Sequence, residues 1–285
     1  MANHRILFLL LCIVILIPLR NNQETQITFI DVGQGDGIYL NSGEDILIDC
    51  GSSSTKYIGE NTLEPFLLSY AVDSLDKVFV THADSDHTSG ILYLAESGRI
   101  HINSLYLPCC ADGNEKYDAV RAISLNTHYL KAGDTIPLKR GRLTVLSPDP
   151  GTVTDSSDIN KHSLVLLYKL DNFSALLMGD ADKENEIDLL ENHANHKTGF
   201  PGHITVLKAG HHGSSTSTGE ELLEAVTPDI AVLSYGTGNR YGHPHRETLD
   251  ILDEYHIPHL DTADSGAISF YTNGHYVKIK EFLNK

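Results

Sequence analysis

The decapeptide THADSDHTSG at residues 81–90 sets two imidazoles and two carboxylates, His82, Asp84, Asp86 and His87, into six positions. It follows an apolar run, DKVFV, that reads as a buried strand, and it leads into TSGILYLAESG, which reads as a short helix. In an extended turn, residues two apart point the same way, so His82, Asp84 and Asp86 converge on one ion while His87 reaches a second. Imidazole and carboxylate donors together suit zinc, manganese or iron, and the share of oxygen leans towards manganese. The competing reading is a helix-capping turn centred on Asp86, but a cap needs one such residue, not four.

Three further stretches carry related chemistry. SALLMGDAD puts Asp180 and Asp182 at the end of an apolar strand, where a carboxylate on a Gly turn can bridge two ions, although Gly-Asp also closes many ordinary strands. In VLKAGHHGSSTST, the adjacent His211 and His212 are expected to point to opposite sides, one as a ligand and one as a proton carrier. Ser214, Ser215 and Thr216 then offer hydroxyl and N–H groups to an anionic oxygen. In YGTGNRYGHPHRETL, His243 and His245 flank a proline, and a helix opening near Arg246 would turn free N–H groups towards a phosphate. The glycines of IDVGQGDGIYL suit a tight turn between strands; no helix follows, so a dinucleotide loop is excluded. Asp31, Asp36 and Asp49 read as turn residues or as supports behind the ligands.

The elements that must position these groups alternate along the chain. QITFIDV, DGIYLNS and DILIDC are short β-rich runs split by turn residues, and NTLEPFLLSYAVD has helical spacing. SLYLP, a helix over Asn114–Asn126, HYLK and RLTVLSP follow, then a polar loop at 148–162. SLVLLYKL and FSALLMG form a strand pair, followed by an acidic helix over Lys183–Asn195. HITVLKA, GEELLEAV, DIAVLSY and RETLDILDEY alternate strand and helix, and AISFY with HYVKIKEF closes on a hairpin. We read 23–285 as one α/β domain in which two sheets pack face to face with helices outside.

Lys and Arg number 21 against 38 Asp and Glu, a net charge of −17, and KR at 139–140 is the only adjacent basic pair. Such a surface repels nucleic acid unless bound cations offset it locally. The 16 histidines fit a metal enzyme. Residues 6–19, ILFLLLCIVILIPL, have the layout of a secretory signal without a small-x-small cleavage site, so 1–22 is expected to be a signal peptide or, preferably, an uncleaved signal anchor. That would put the domain on the extracellular face, secreted or membrane-anchored. Cys12, Cys50, Cys109 and Cys110 contain no CxxC pair, which argues against a thiolate zinc site.

DVGQGD (31–36), ILIDCG (46–51), THADSDHTSG (81–90), NKHSLVL (160–166), LLMGDAD (176–182), LKAGHHGS (207–214) and YGHPH (241–245) occur in this order. Together they resemble the metallo-β-lactamase superfamily, and within it the hydrolase domain of the ComEC competence family. The resemblance implies a four-layer αββα sandwich and two divalent metal ions, zinc or manganese. It implies His82, Asp84, Asp86, His87, Asp180 and His212 as metal ligands, with Asp84 standing where most of the superfamily has histidine. His211 is then expected beside the metals or as an acid, and His243 and His245 at the substrate or in proton transfer. The superfamily's usual histidine before the SLVL strand is replaced by DINKH, which leaves Asn160 near the site.

The function these features predict is a two-metal phosphodiesterase or nuclease. Asp86, His211 and His245 would be its catalytic groups, and Ser214, Ser215, Thr216, His243 and Asn160 would contact substrate. The expected partner is a phosphodiester, with single-stranded DNA a candidate, and no stable protein partner is evident. Alternatives are a hydrolase of a cell-wall phosphoester or of a lactam or lactone, and a non-catalytic extracellular binding protein. The single apolar segment cannot form the multi-span pore of full ComEC proteins, which makes the chain look like a stand-alone relative.

Overall fold

The computed structural model describes residues 24–151, 160–196 and 202–283. The expected anchor at 1–22 and most of the polar loop at 148–162 lie outside these residues. Among the described residues, no helix is long and apolar enough to cross a membrane.

The first strands are β1 (Thr25–Phe29), β2 (Gly37–Asn41), β3 (Asp45–Cys50), β4 (Ser74–Leu75), β5 (Lys77–Phe79), β6 (His101–Ile102), β7 (Leu105–Pro108) and β8 (Thr127–Leu130). Then come β9 (Thr135–Pro137), β10 (Arg142–Ser147), β11 (Val165–Leu170), β12 (Phe173–Leu177), β13 (Ile204–Lys208), β14 (Pro228–Leu233) and β15 (His259–Asp261). The chain closes with β16 (Ile268–Thr272) and β17 (Val277–Glu281). One sheet has the order β17-β16-β1-β2-β3-β5-β7-β8, and the other runs β15-β14-β13-β12-β11-β10-β9. The short β4 and β6 pair separately.

Period-two alternation explains the layering. In DILIDC, Ile46 and Ile48 join the core between the sheets, with Phe29, Phe79, Leu166 and Phe173, whereas Leu47 turns to the outer face. There it meets Leu67 of helix α1 (Glu64–Ser69) and Ile91 and Leu94 of α2 (Ser85–Ser97). The second sheet repeats this: Leu176, Leu207 and Leu233 face outward onto Leu189, Leu222 and Leu252. Those residues come from α3 (Lys183–His196), α4 (Glu220–Val226) and α5 (Arg246–Glu254). Helix, sheet, sheet, helix is the expected four-layer sandwich. Inner strands such as β1, β3 and β12 are buried on two faces, whereas the edge strand β17 is exposed, and each fully buried Leu or Ile contributes on the order of 2 kcal/mol.

One expected element is much shorter. In place of a helix over Asn114–Asn126 there is one 3-10 turn, Glu115–Tyr117, and a single α turn, Asp118–Arg121. Local side chains compete for the backbone: Asn114 accepts from Lys116 N–H, Ser124 Oγ accepts from Asn126 N–H, and Thr127 Oγ1 donates to the Ser124 carbonyl.

Strands β3 and β5 run parallel in the first sheet, and β12, β13 and β14 run parallel in the second. Their C-terminal ends lead into the stretches that hold Asp49, His82, Asp180, His211 and His243.

Candidate metal centre

Asp180 is the centre of the arrangement, 3% exposed at the end of the β12 segment. Its Oδ1 lies 3.2 Å from His87 Nε2 and 3.6 Å from His212 Nε2. Its Oδ2 lies 3.7 Å from His82 Nε2 and 3.6 Å from His211 Nε2. Asp84 Oδ2 adds a carboxylate 3.7 Å from His82 Nε2, and Asp86 Oδ2 adds another 4.0 Å from His212 Nε2. One carboxylate therefore divides the cluster into two halves. Asp86 lies inside the first turn of α2, and Asp84, which occupies the N-cap, makes no side-chain capping bond, so the reading of this turn as a cap centred on Asp86 fails.

Three rings are fixed from behind. His87 Nδ1 donates to Asp49 Oδ2 at 2.9 Å, and His212 Nδ1 donates to the Ser234 carbonyl at 3.0 Å. Thr81 Oγ1 gives its proton to Asp49 Oδ2 and lies 3.1 Å from His82 Nδ1, from which it can accept. Each ring thus turns the lone pair of Nε2 inward. His82 Nε2, His87 Nε2, His212 Nε2 and Asp180 Oδ1 are all buried and have no hydrogen-bond partner. Four converging acceptors without a donor are costly to bury. A divalent cation removes that cost, so the residues present fit the metal the fold family implies, and His82, His87 and Asp180 form a group able to hold one.

Without an ion, the rings and carboxylates hold one another's charges, so binding a cation would displace a proton from His87. Burial, reinforced by His87, holds the His82 ring well below the usual histidine range. For His87 burial acts the same way, but Asp180 and Asp49 outweigh it and hold the ring well above. Burial would raise Asp180, yet His87 and His212 keep it well below the usual carboxylate range. Asp84 is raised by burial and by Asp86.

The DVGQGD loop ties these parts together. Asp36 N–H donates to the Asp86 carbonyl, and Ser234 Oγ donates to the Gly35 carbonyl. Asp36 Oδ2 receives Lys208 Nζ at 2.6 Å, both groups fully inside, while Oδ1 lies 3.3 Å from His212 Nδ1. Gly35 adopts φ +153°, and a Cβ there would overlap the Gly51 and Asp86 carbonyl oxygens, so no side chain fits between the loops.

A cleft of about 340 Å³ opens beside the cluster, bordered by Gln34, Asn160, Arg240, Tyr241 and His243. A second cleft, about 390 Å³, lies against the outer face of β1, β16 and α1 and contains none of the clustered groups. Burial, followed by His212, His211 and His245, pulls the His243 ring down to about 4.

Several sequence expectations need correction. His211 and His212 do not face opposite sides: both reach Asp180, at different oxygens. Their backbones are left-handed, with φ 45° and 58°, so strand alternation does not apply. Ser214, Ser215 and Thr216 are absent from the cleft wall. Ser214 Oγ instead contacts Thr216 Oγ1 and accepts from Thr216 N–H, which folds the turn on itself. His245 is turned away: Nδ1 accepts from Ser215 N–H and Nε2 reaches the Tyr241 carbonyl. The N-terminus of α5, which His245 caps, is therefore not at the cleft either. Asn160 borders the cleft as expected, and His162 lies outside the groups able to hold an ion. Gln34 and Lys208 were not foreseen; a lysine ending the apolar run ITVLK was the available signal for one, and the DVGQGD turn for the other.

Residues 30–108 match the family model for the metallo-beta-lactamase superfamily. The fold is shared with the metallo-beta-lactamase fold protein YhfI of Bacillus subtilis, with TM-score 0.58 and 12% identity over 87% of this chain and 100% of that one. CmlA, a diiron beta-hydroxylase from Streptomyces venezuelae, gives TM-score 0.56 at 12% identity, over 86% of this chain and 53% of that one. The chain thus has the metallo-beta-lactamase fold and is similar in sequence to that superfamily over residues 30–108.

Its sequence relatives include proteins named for the ComE operon, for recombination and, in Competence protein ComA of Neisseria gonorrhoeae, for competence. ComE operon protein 3 of Bacillus subtilis is 32% identical over 87% of this chain and 33% of its own length. Recombination protein 2 of Haemophilus influenzae is 32% identical over 91% of this chain and 30% of its own length. The chain thus spans about one third of these relatives.

Proposed function

We propose that this domain is a metal-dependent hydrolase of phosphodiesters, acting with two divalent ions. The observation that carries the reading is the convergence of three buried ring nitrogens, left without hydrogen-bond partners, on Asp180, whose Oδ1 is likewise unpartnered. His82, Asp84 and Asp180 Oδ2 would hold one ion, and His87, His212, Asp86 and Asp180 Oδ1 the other. Two such ions make water nucleophilic near neutral pH and neutralise charge on phosphoryl oxygens. Zinc and manganese both suit this mixture of nitrogen and oxygen donors.

The remaining steps fall to the protein. Asp86, whose carboxylate is 19% exposed, orients the attacking water. His211, 31% exposed and the most open ring at Asp180, passes a proton to the leaving oxygen. Asn160, Arg240 and His243 contact the phosphate from the cleft wall. Relatives named for competence and recombination favour a nucleic-acid strand, such as single-stranded DNA, over a lactam or lactone. The charge of −17 favours local engagement at the site over a long basic track. The N-terminal apolar run would place the domain outside the membrane.

The test is turnover of bis(p-nitrophenyl) phosphate and of single-stranded DNA with manganese or zinc, alongside elemental analysis. About two ions per chain and loss of activity in His82→Ala/Asp180→Ala are expected. Full activity in that double variant would refute the mechanism. Well under one ion per chain after metal-supplemented expression would favour a binding protein instead.

A further inference from the structure

The rings around this cleft differ in how their nitrogens are used. His82, His87 and His212 are held at Nδ1 by acceptors and turn Nε2 lone pairs inward. His243 is held the other way. Gln34, 1% exposed, places its side-chain Nε2 3.2 Å from His243 Nδ1. The amide is oriented by Gly236, whose backbone N–H donates to Gln34 Oε1 at 3.4 Å. Turning the amide over would set its NH2 against that N–H, so the NH2 faces His243 and Nδ1 must accept. The Gln34 backbone is pinned as well: its N–H donates to Ser54 Oγ and its carbonyl accepts from Ser53 N–H.

A neutral ring that accepts at Nδ1 carries its proton on Nε2. We propose that Gln34 is a positioning residue that fixes His243 as the Nε2–H tautomer, so that His243 donates a hydrogen bond to a substrate oxyanion in the cleft. The proposal rests on the reading that the cleft takes a phosphodiester, and it adds a division of labour. Rings with inward lone pairs serve cations, whereas the ring with an inward N–H serves the anion. Both His243 and Gln34 border the same cleft as Asp84, Asp86 and Asp180, so the donor is placed beside the proposed metal centre. Gln34 sits within the DVGQGD turn, whose glycines allow the close approach to residues 51 and 86. That gives the turn a chemical task in addition to its structural one.

The experiment is long-range proton–nitrogen correlation spectroscopy of the zinc-loaded domain, with the His243 signals identified by their loss in His243→Asn. Wild type should show Nε2 protonated and Nδ1 bare. Titration with inorganic phosphate should move the Nε2–H signal. Gln34→Glu offers His243 an acceptor and should put a proton on Nδ1, and phosphate binding should weaken about tenfold or more. If Gln34→Glu changes metal content or Tm, Gln34→Met replaces it, with mixed tautomers and weaker phosphate binding expected. A wild-type ring protonated on Nδ1, or an Nε2–H signal indifferent to phosphate, overturns the proposal. The tautomer is read without turnover, so a domain inactive on phosphodiesters but retaining the Nε2–H ring would separate failure of the functional reading from failure of this one.

Discussion

The Lys208–Asp36 pair allows a sharp test of what holds the two halves of the centre together. Lys208 Nζ is 2.6 Å from Asp36 Oδ2, with both side chains at 2% exposure or less. At an effective dielectric constant near 20, two unit charges at that separation attract by about 6 kcal/mol, and most of this offsets the cost of bringing both out of water. The net worth of the pair is therefore small, while an orphaned partner is expensive. Lys208→Met leaves a buried carboxylate and Asp36→Asn a buried ammonium, and each should cost about 3–5 kcal/mol. For a chain of this size that lowers Tm by about 10 °C. The double variant Asp36→Asn/Lys208→Met removes both charges and should recover most of the loss. The assay is urea unfolding of all four forms at pH 7, in metal-free buffer so that metal affinity does not enter, with equal slopes confirming comparable transitions. Single variants costing under about 1 kcal/mol, or a double variant showing the plain sum of the singles, would show the pair is not a coupled buried unit.

Asp49 tests the support behind the rings. Asp49→Asn weakens the acceptor for His87 Nδ1, and metal affinity measured by chelator competition should fall about 10–100-fold; unchanged affinity would contradict the assigned orientation of that ring. Glu186 tests pH dependence. Burial, opposed by the Gly219 and Thr218 N–H groups, raises its carboxyl to about 7 from 4.5. Between those values the folded chain holds a proton that the unfolded chain has lost, so stability falls as pH rises from about 4.5 to 7, by up to about 3 kcal/mol. Urea midpoints of wild type and Glu186→Gln at pH 5 and pH 8 should diverge accordingly, and parallel behaviour would rule out Glu186 as the source.

The layers were legible because each strand needs alternating faces, as in DILIDC, where Ile46, Leu47 and Ile48 read directly onto two cores. The donor residues were legible for a similar reason: four ionisable side chains at 82–87 have no economical structural role. What the sequence hid depends on backbone conformation and on distant partners. The left-handed pair His211 and His212 brings both rings to Asp180, and adjacency alone cannot announce such geometry. Ser214, Ser215 and Thr216 carry anion-binding chemistry by type, yet their partners are each other and nearby turn groups. Gln34 and Lys208 gain their meaning only from His243 and Asp36, which lie far along the chain or across the sheets.

The pairing of Thr25 on β1 with Thr272 on β16 has a consequence for biosynthesis. The first sheet cannot close until the chain has left the ribosome as far as Thr272, so β1 waits with one edge bare while the intervening layers assemble. The site matures on the same schedule, because Asp180 and His212 arrive long after His82 and His87. Metal capture would then act as a late checkpoint in maturation, available only to chains that have brought both sheets into register.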